Sequence, residues 1–245
     1  MKTQLDAIER ALVFLVVCEL GWLRVFGEES KRRAALALVE KTGGHRVSVG
    51  TWLELAWQLA ALMPRTDPHP VVRAARKLVN DSGKPSELCK QFQTGVVPLR
   101  NNKTHGVAAA EEAIHELELP LREHWKQLKA ALGSLRELQL VTRAKLKDFD
   151  VNGRALYNVR QLTGGSEHFA IAEITIQGKL DEHWGYLVGP RGHQPLPLSP
   201  LLRVRYNTEA SRREVMMPRT LVLDPGQKVE LCQLLGDQSE KFAVP

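Results

Sequence analysis

From Leu5 to about Phe26 the apolar residues recur at helical intervals, with Ile8, Leu12, Leu15 and Val16 on one face, which predicts a long first helix. Glu28 to Val39 continues in helix-forming residues until Gly43-Gly44 stops it. Ser48 is placed to cap a third helix through Leu62. Its Leu53, Leu55, Trp57, Leu59 and Leu62 supply more apolar surface than one face needs, which predicts a central position in a bundle. Met63-Pro64 ends this helix, the turn Asp67-Pro68-His69-Pro70 launches a short basic helix over Val71 to Val79, and another short helix follows Pro85-Ser86. Between Ala113 and Leu138 an apolar stripe advances by threes and fours through Ile114, Leu117, Leu121, Trp125, Leu128, Leu132, Leu135 and Leu138. Pro120 inside that stripe either kinks the helix or marks a fresh first turn.

The period changes near Leu138. Leu140, Thr142, Ala144 and Leu146 alternate with polar or charged neighbours. Short strand-like runs follow at Phe169 to Ile176, Trp184 to Val188, Leu202 to Tyr206, Leu221 to Leu223 and Val229 to Cys232, separated by Gly and Pro. The expected fold is therefore α+β, a helical domain over 1–136 followed by a small β-rich domain over 137–245. No repeat of solenoid period is present.

Composition narrows the class. With 43% apolar and 25% charged residues, wholesale disorder and collagen-like repeats are excluded for the 245-residue chain. The longest apolar run, Ala11 to Cys18, is too short to span a bilayer, and Glu19 interrupts it, so a buried helix is expected and no membrane partner. Cys18, Cys89 and Cys232 stand far apart without C-x-x-C spacing, which suggests neither a disulfide framework nor a zinc site and points to a reducing, cytoplasmic setting.

The formal charge of +6 makes a polyanion a candidate partner. Residues 1–136 hold 20 Lys and Arg against 15 Asp and Glu, whereas 137–245 hold 14 against 13, so nearly all the excess belongs to the helical half. No acid occurs between Glu87 and Glu111, and Lys90, Arg100, Lys103 and His105 fall in that window. Within it, Val96 to Gly106 reads VVPLRNNKTHG and runs directly into the long helix, which puts Arg100, Asn101 and His105 near a helix start.

This segment resembles the R-x4-6-H signature of HEPN domains, with Leu99 before it and Gly106 after it matching a frequent L-R-N-x-x-x-H-G form. The resemblance extends to an N-terminal helix pair, a motif near the start of a later helix, and a long amphipathic helix after it. More loosely, LPLSPLL at Leu196 to Leu202 is similar to β-rich extensions of HEPN domains in bacterial signalling and defence proteins. The resemblance implies a homodimer whose two motifs form one metal-independent endoribonuclease site, acting in bacterial defence, stress or toxin-like control, with no cofactor. Imidazole is the side chain whose unperturbed pKa suits moving the 2′-hydroxyl or 5′-oxygen proton, and a guanidinium offers fixed, forked positive charge to the transition state. His105 and Arg100 suit those roles, Asn101 would hold phosphate or imidazole, and Lys103 and Lys90 would contact RNA. Family toxins silenced by adenylylation carry a tyrosine two places after the histidine; Val107 stands there, so the resemblance does not support that control.

The competing reading is a non-catalytic HEPN-like interaction or sensor module. Arg100 would then pair with Glu111 or Glu112, His105 would serve as a polar helix-start residue, and the β-rich domain would dock a protein partner. His115 and His124 stand about 180° apart on one helix, which favours surface histidines over a metal pair. His183 fits a solvated turn better than a cation site, and Gly164-Gly165-Ser166 and Gly189 to Gly192 are turns without the setting of a phosphate loop. Trp22, Trp52, Trp57 and Trp125 belong to helical apolar patterns and are expected in the core, with Trp184 the more open case. Arg203, Arg205, Arg212, Arg213 and Arg219 are a second place for an RNA backbone or a partner.

Overall fold

The computed structural model describes residues 2–42, 47–104, 111–162, 169–182, 184–189, 194–198, 201–207, 212–218, 228–233 and 239–243, with backbone alone for 2–3, 100–104, 111–117 and those from 203 onward. The fold mixes helix and strand and divides into two compact units, Met1–Leu135 and Arg136–Pro245.

The first unit is helical. α1 (Lys2–Phe26) packs against α2 (Glu29–Thr42), α3 (Val49–Leu62), α4 (Pro70–Ala75) and α6 (Glu111–Ala131), while α5 (Glu87–Thr104) packs on α3 and α6. The face predicted for α1 is buried at Ile8, Leu12, Leu15 and Val16; Leu5, Val13, Val17 and Cys18 are buried as well, so α1 is apolar well beyond one stripe. α3 is buried at Trp52, Leu53, Leu55, Ala56, Leu59 and Ala60, in keeping with its excess of apolar positions. Its start is set by Ser48, whose hydroxyl accepts from the Thr51 N–H at 3.2 Å. α4 is capped unusually: His69 Nδ1 accepts from the Val71 N–H at 3.2 Å, with Pro70 already in the first turn. A 3-10 turn, Arg76–Leu78, completes the basic segment expected there.

Two expectations for this unit need correction. The helix after Ser86 is not short: α5 has 18 residues and passes through Pro98. The stripe through Leu138 does not stay α-helical, because α6 ends at Ala131 and Leu132–Glu137 tightens to a 3-10 segment. Leu121 and Leu128 form the buried centre of the stripe, Leu132 and Leu135 are half-buried, and Pro120 lies inside the helix. The Ser134 hydroxyl donates to the Pro70 carbonyl at 2.7 Å, tying the 3-10 segment to the start of α4.

The second unit contains two antiparallel sheets. β1 (Gln139–Phe149), β2 (Ala155–Gln161), β3 (Ala170–Ile176), β4 (Gly185–Val188) and β5 (Leu196–Pro197) form one in the order β3-β2-β1-β4-β5. Three hairpin-linked strands followed by a fourth that returns beside the first make this a Greek key. β6 (Arg203–Asn207), β7 (Arg212–Pro218), β8 (Lys228–Gln233) and β9 (Ser239–Ala243) form the other as a meander. β2, β5, β7 and β9 were not among the expected strands, and Leu221 to Leu223 lie outside the described residues.

The alternation expected in β1 holds only from Thr142 to Lys145. Its ladder with β2 slips between Thr142 and Lys145 and again between Leu146 and Asp148, with Arg143 at φ 52°. Val141 consequently joins Ala144 in the core, while Leu146 is exposed. That core also includes Tyr157, Val159, Ile176, Leu180, Tyr186 and Val188. The β1–β2 turn is held by Asp150, whose carboxylate accepts from the N–H groups of Asn152 and Arg154 and from Arg154 Nε at 2.7 Å. The backbone hydrogen bond from Arg154, followed by that residue's side chain and the Asn152 N–H, holds the Asp150 carboxyl below the usual range.

Candidate functional site

α5 carries most of the motif. Ser86 anchors its start: the hydroxyl accepts from the Cys89 N–H at 3.3 Å and donates to the Lys77 carbonyl at 2.8 Å. Cys89, Phe92 and Val96 then fall at helical spacing and are all buried. Between them Gly95 lets α6 approach, because a Cβ there would lie 2.5 Å from His124 Nε2. The His124 ring packs against Phe92 at 5.4 Å between centroids and is half-buried, so the expectation of a surface histidine is corrected. Gly50 makes the matching approach at the start of α3, where an added Cβ would meet Val97 Cγ1 at 3.1 Å.

Arg100, Asn101 and Lys103 lie in the last two turns of α5, which ends at Thr104. They therefore close one helix and do not open the next, contrary to the sequence reading. Pro98 concealed this. It removes one N–H and normally discourages a helix interior, at a cost of about 3 kcal/mol, yet the buried residues before it hold the helix in place. Cations at this end are favoured by the carbonyl end of the helix dipole, which supplies a structural reason for them beside any functional one. His105 lies in the connection 105–110, outside the described residues. Lys90 is ten residues before Arg100 on the same helix, roughly 15 Å along its axis, and its ammonium lies 3.7 Å from the Glu87 carboxylate, so α5 does not bring Lys90 to the motif.

A chemically distinctive group that the sequence reading treated only as an interruption is Glu19. It is completely buried in α1, and neither carboxyl oxygen has a hydrogen-bond partner among the described residues. Burial pushes its carboxyl well above the usual glutamate range. The signal was present as one acid between VFLVVC and LGWL, flanked by apolar residues on both sides. Burial, then the neighbouring Glu19 charge, pushes the Cys18 thiol well up, and burial takes Cys89 to about 11; both are inert buried thiols.

The remaining candidates divide simply. Trp22 and Trp52 are core residues, Trp57 and Trp125 are half-buried, and Lys129 stands over the Trp125 ring at 5.4 Å. Trp184 stacks on Tyr186 against the sheet core. Arg205 pairs in register with Glu214, and Arg212 and Arg213 lie opposite Asn207 and Tyr206 across β6 and β7. His183, Gly164 to Ser166, Pro190 to Gly192 and Arg219 are outside the described residues, as is the side chain of His115. Among the described residues, no cluster of three His, Cys, Asp or Glu side chains suits a metal ion, and no helix is long and apolar enough to cross a membrane. Compared with protein-family models, curated proteins and solved structures, the chain matches none.

Proposed function

We propose that the helical unit is a HEPN-like, metal-independent endoribonuclease working as a homodimer, with Arg100, Asn101 and His105 from two copies meeting at one site. The observation that carries the reading is the acid-free helix end. Arg100, Asn101 and Lys103 occupy the last turns of α5, His105 follows one residue past Thr104, and α6 then begins at Glu111. In this reading the His105 imidazole takes the proton of the ribose 2′-hydroxyl while the 2′-oxygen attacks phosphorus. The phosphorus–5′-oxygen bond breaks, the 5′-oxygen takes up a proton, and Arg100 neutralises charge on the phosphoryl oxygens. The products are a 2′,3′-cyclic phosphate and a 5′-hydroxyl end. Asn101 orients the imidazole or a phosphate oxygen, and Lys103 and Lys90 attract the RNA chain.

The test is incubation of mixed RNAs in EDTA with wild type, His105→Ala and the double variant Arg100→Ala/His105→Ala, followed by analysis of the new ends. Loss of the imidazole is expected to slow cleavage by about 10² to 10⁴. Equal rates for wild type and His105→Ala would remove the mechanism. An inert wild-type protein would leave the helical unit as a docking module.

A further inference from the structure

The Greek-key sheet carries a cavity of about 720 Å³ that the nuclease reading does not use. This volume is in the range of small-molecule sites. It opens between the distal half of β1, the start of β2 and the segment Gly178 to Glu182 that leads from β3 toward β4. Its lining includes three consecutive residues of β1, Ala144, Lys145 and Leu146. A regular strand would turn the middle one to the opposite face. Ala144 lies within the first ladder slip and Leu146 borders the second, and a bulge re-aims the side chains next to it, so all three residues border the space, Ala144 at its buried base and Leu146 at its exposed wall.

The walls are apolar and accessible: Leu146 is 53% and Phe149 60% exposed, while Tyr157 and Leu180 are buried beneath. Gly153 and Gly178 border the space at φ 71° and 106°, and no atom would lie within 4 Å of a Cβ added to either. The polar groups are few and biased toward donors. Lys145 is neutralised by Glu182 at 3.3 Å. Lys179 forms no ion pair among the described residues. The Tyr157 oxygen accepts from the Leu180 N–H at 3.0 Å, leaving its own proton without an acceptor among those residues. An apolar cleft with one unpaired ammonium and one spare hydroxyl proton complements an apolar body bearing a single negative charge.

We propose that this cavity binds a small amphipathic anion, an aromatic or aliphatic body with one carboxylate, sulfonate or phosphate ester, the apolar part against Phe149 and Leu146 and the anionic group on Lys179 and Tyr157. The proposal stands apart from the ribonuclease reading and tests separately from it. The probes are 8-anilinonaphthalene-1-sulfonate and the uncharged N-phenyl-1-naphthylamine, titrated by fluorescence into the full chain. The sulfonate is expected to saturate at one per chain and to bind at least about tenfold tighter than the neutral amine, the scale of a charge-assisted hydrogen bond. Lys179→Glu should remove that advantage and leave the amine within about twofold, and Leu146→Asp should weaken both probes. Lys147→Glu, an equal charge change at a neighbouring residue outside the cavity, should alter neither probe. All three positions are exposed, and the Lys147–Glu173 pair that Lys147→Glu removes is a surface one, so each variant is expected to fold, which circular dichroism checks. Sulfonate binding that ignores both Lys179→Glu and Leu146→Asp, or fails to saturate, overturns the assignment.

Discussion

Glu19 shows how much one residue's surroundings can decide. A carboxyl completely buried, with no hydrogen-bond partner among the described residues, holds its proton more tightly than in water, because ionising it there costs far more than in solution. Its folded-state pKa is raised, so the folded protein holds the proton more tightly than the unfolded chain does. The resulting stability is fully present below the ordinary glutamate range and is lost as pH rises from that range through the raised value. Urea titrations across that window should show wild-type stability falling by up to about 1.4 kcal/mol per pH unit. Glu19→Gln should flatten the slope and be the more stable protein at neutral pH; a slope that the substitution leaves intact would mean another group causes it. Sequence alone exposes the oddity of an acid inside an apolar run, but its burial and its lack of a partner among the described residues belong to the packed helices.

Pairs of elements fail or succeed on contacts that periodicity does not encode. The α5–α6 contact rests on Gly95 meeting His124, two residues that no helical pattern links. Alanine outranks glycine in a helix by about 1 kcal/mol, so Gly95→Ala would stabilise a free α5. Here its methyl overlaps the imidazole, and a net loss of about 1–3 kcal/mol is expected. With His124→Ala already in place, the same change should become stabilising, a reversal that a double-mutant cycle in urea reads directly. The long, strongly patterned elements α1 and α3 were legible in outline from the chain. The end of α5 was not, since Pro98 argues locally for a boundary and only the burial of Cys89, Phe92 and Val96 overrides it. β1 keeps its expected alternation only from Thr142 to Lys145 for a related reason: the ladder slips twice, and a slip by one residue turns the pattern over.

At the scale of the whole molecule, charge is unevenly divided, with an excess of five positive charges in residues 1–136 and one in 137–245. If Lys90, Arg100 and Lys103 are the RNA contacts, log affinity against log salt should fall with a slope of about −2, and Lys103→Glu should make it shallower by about 0.7 or more. RNA binding indifferent to salt would remove these cations from the interface. The sequence by itself determined the mixture of helical and strand-like halves, the buried first and third helices and the cation-rich, acid-free window, because each follows from the type and spacing of residues near one another in the chain. Tertiary structure alone decided that Arg100 and Asn101 close a helix, that Glu19 is sealed from water, that His124 wedges against Gly95, and that a doubled bulge gathers Ala144, Lys145 and Leu146 around one cavity. Each depends on a partner distant in sequence or on a ladder register, and the free energy of burial and pairing with such partners outweighs the preferences of the residues nearby.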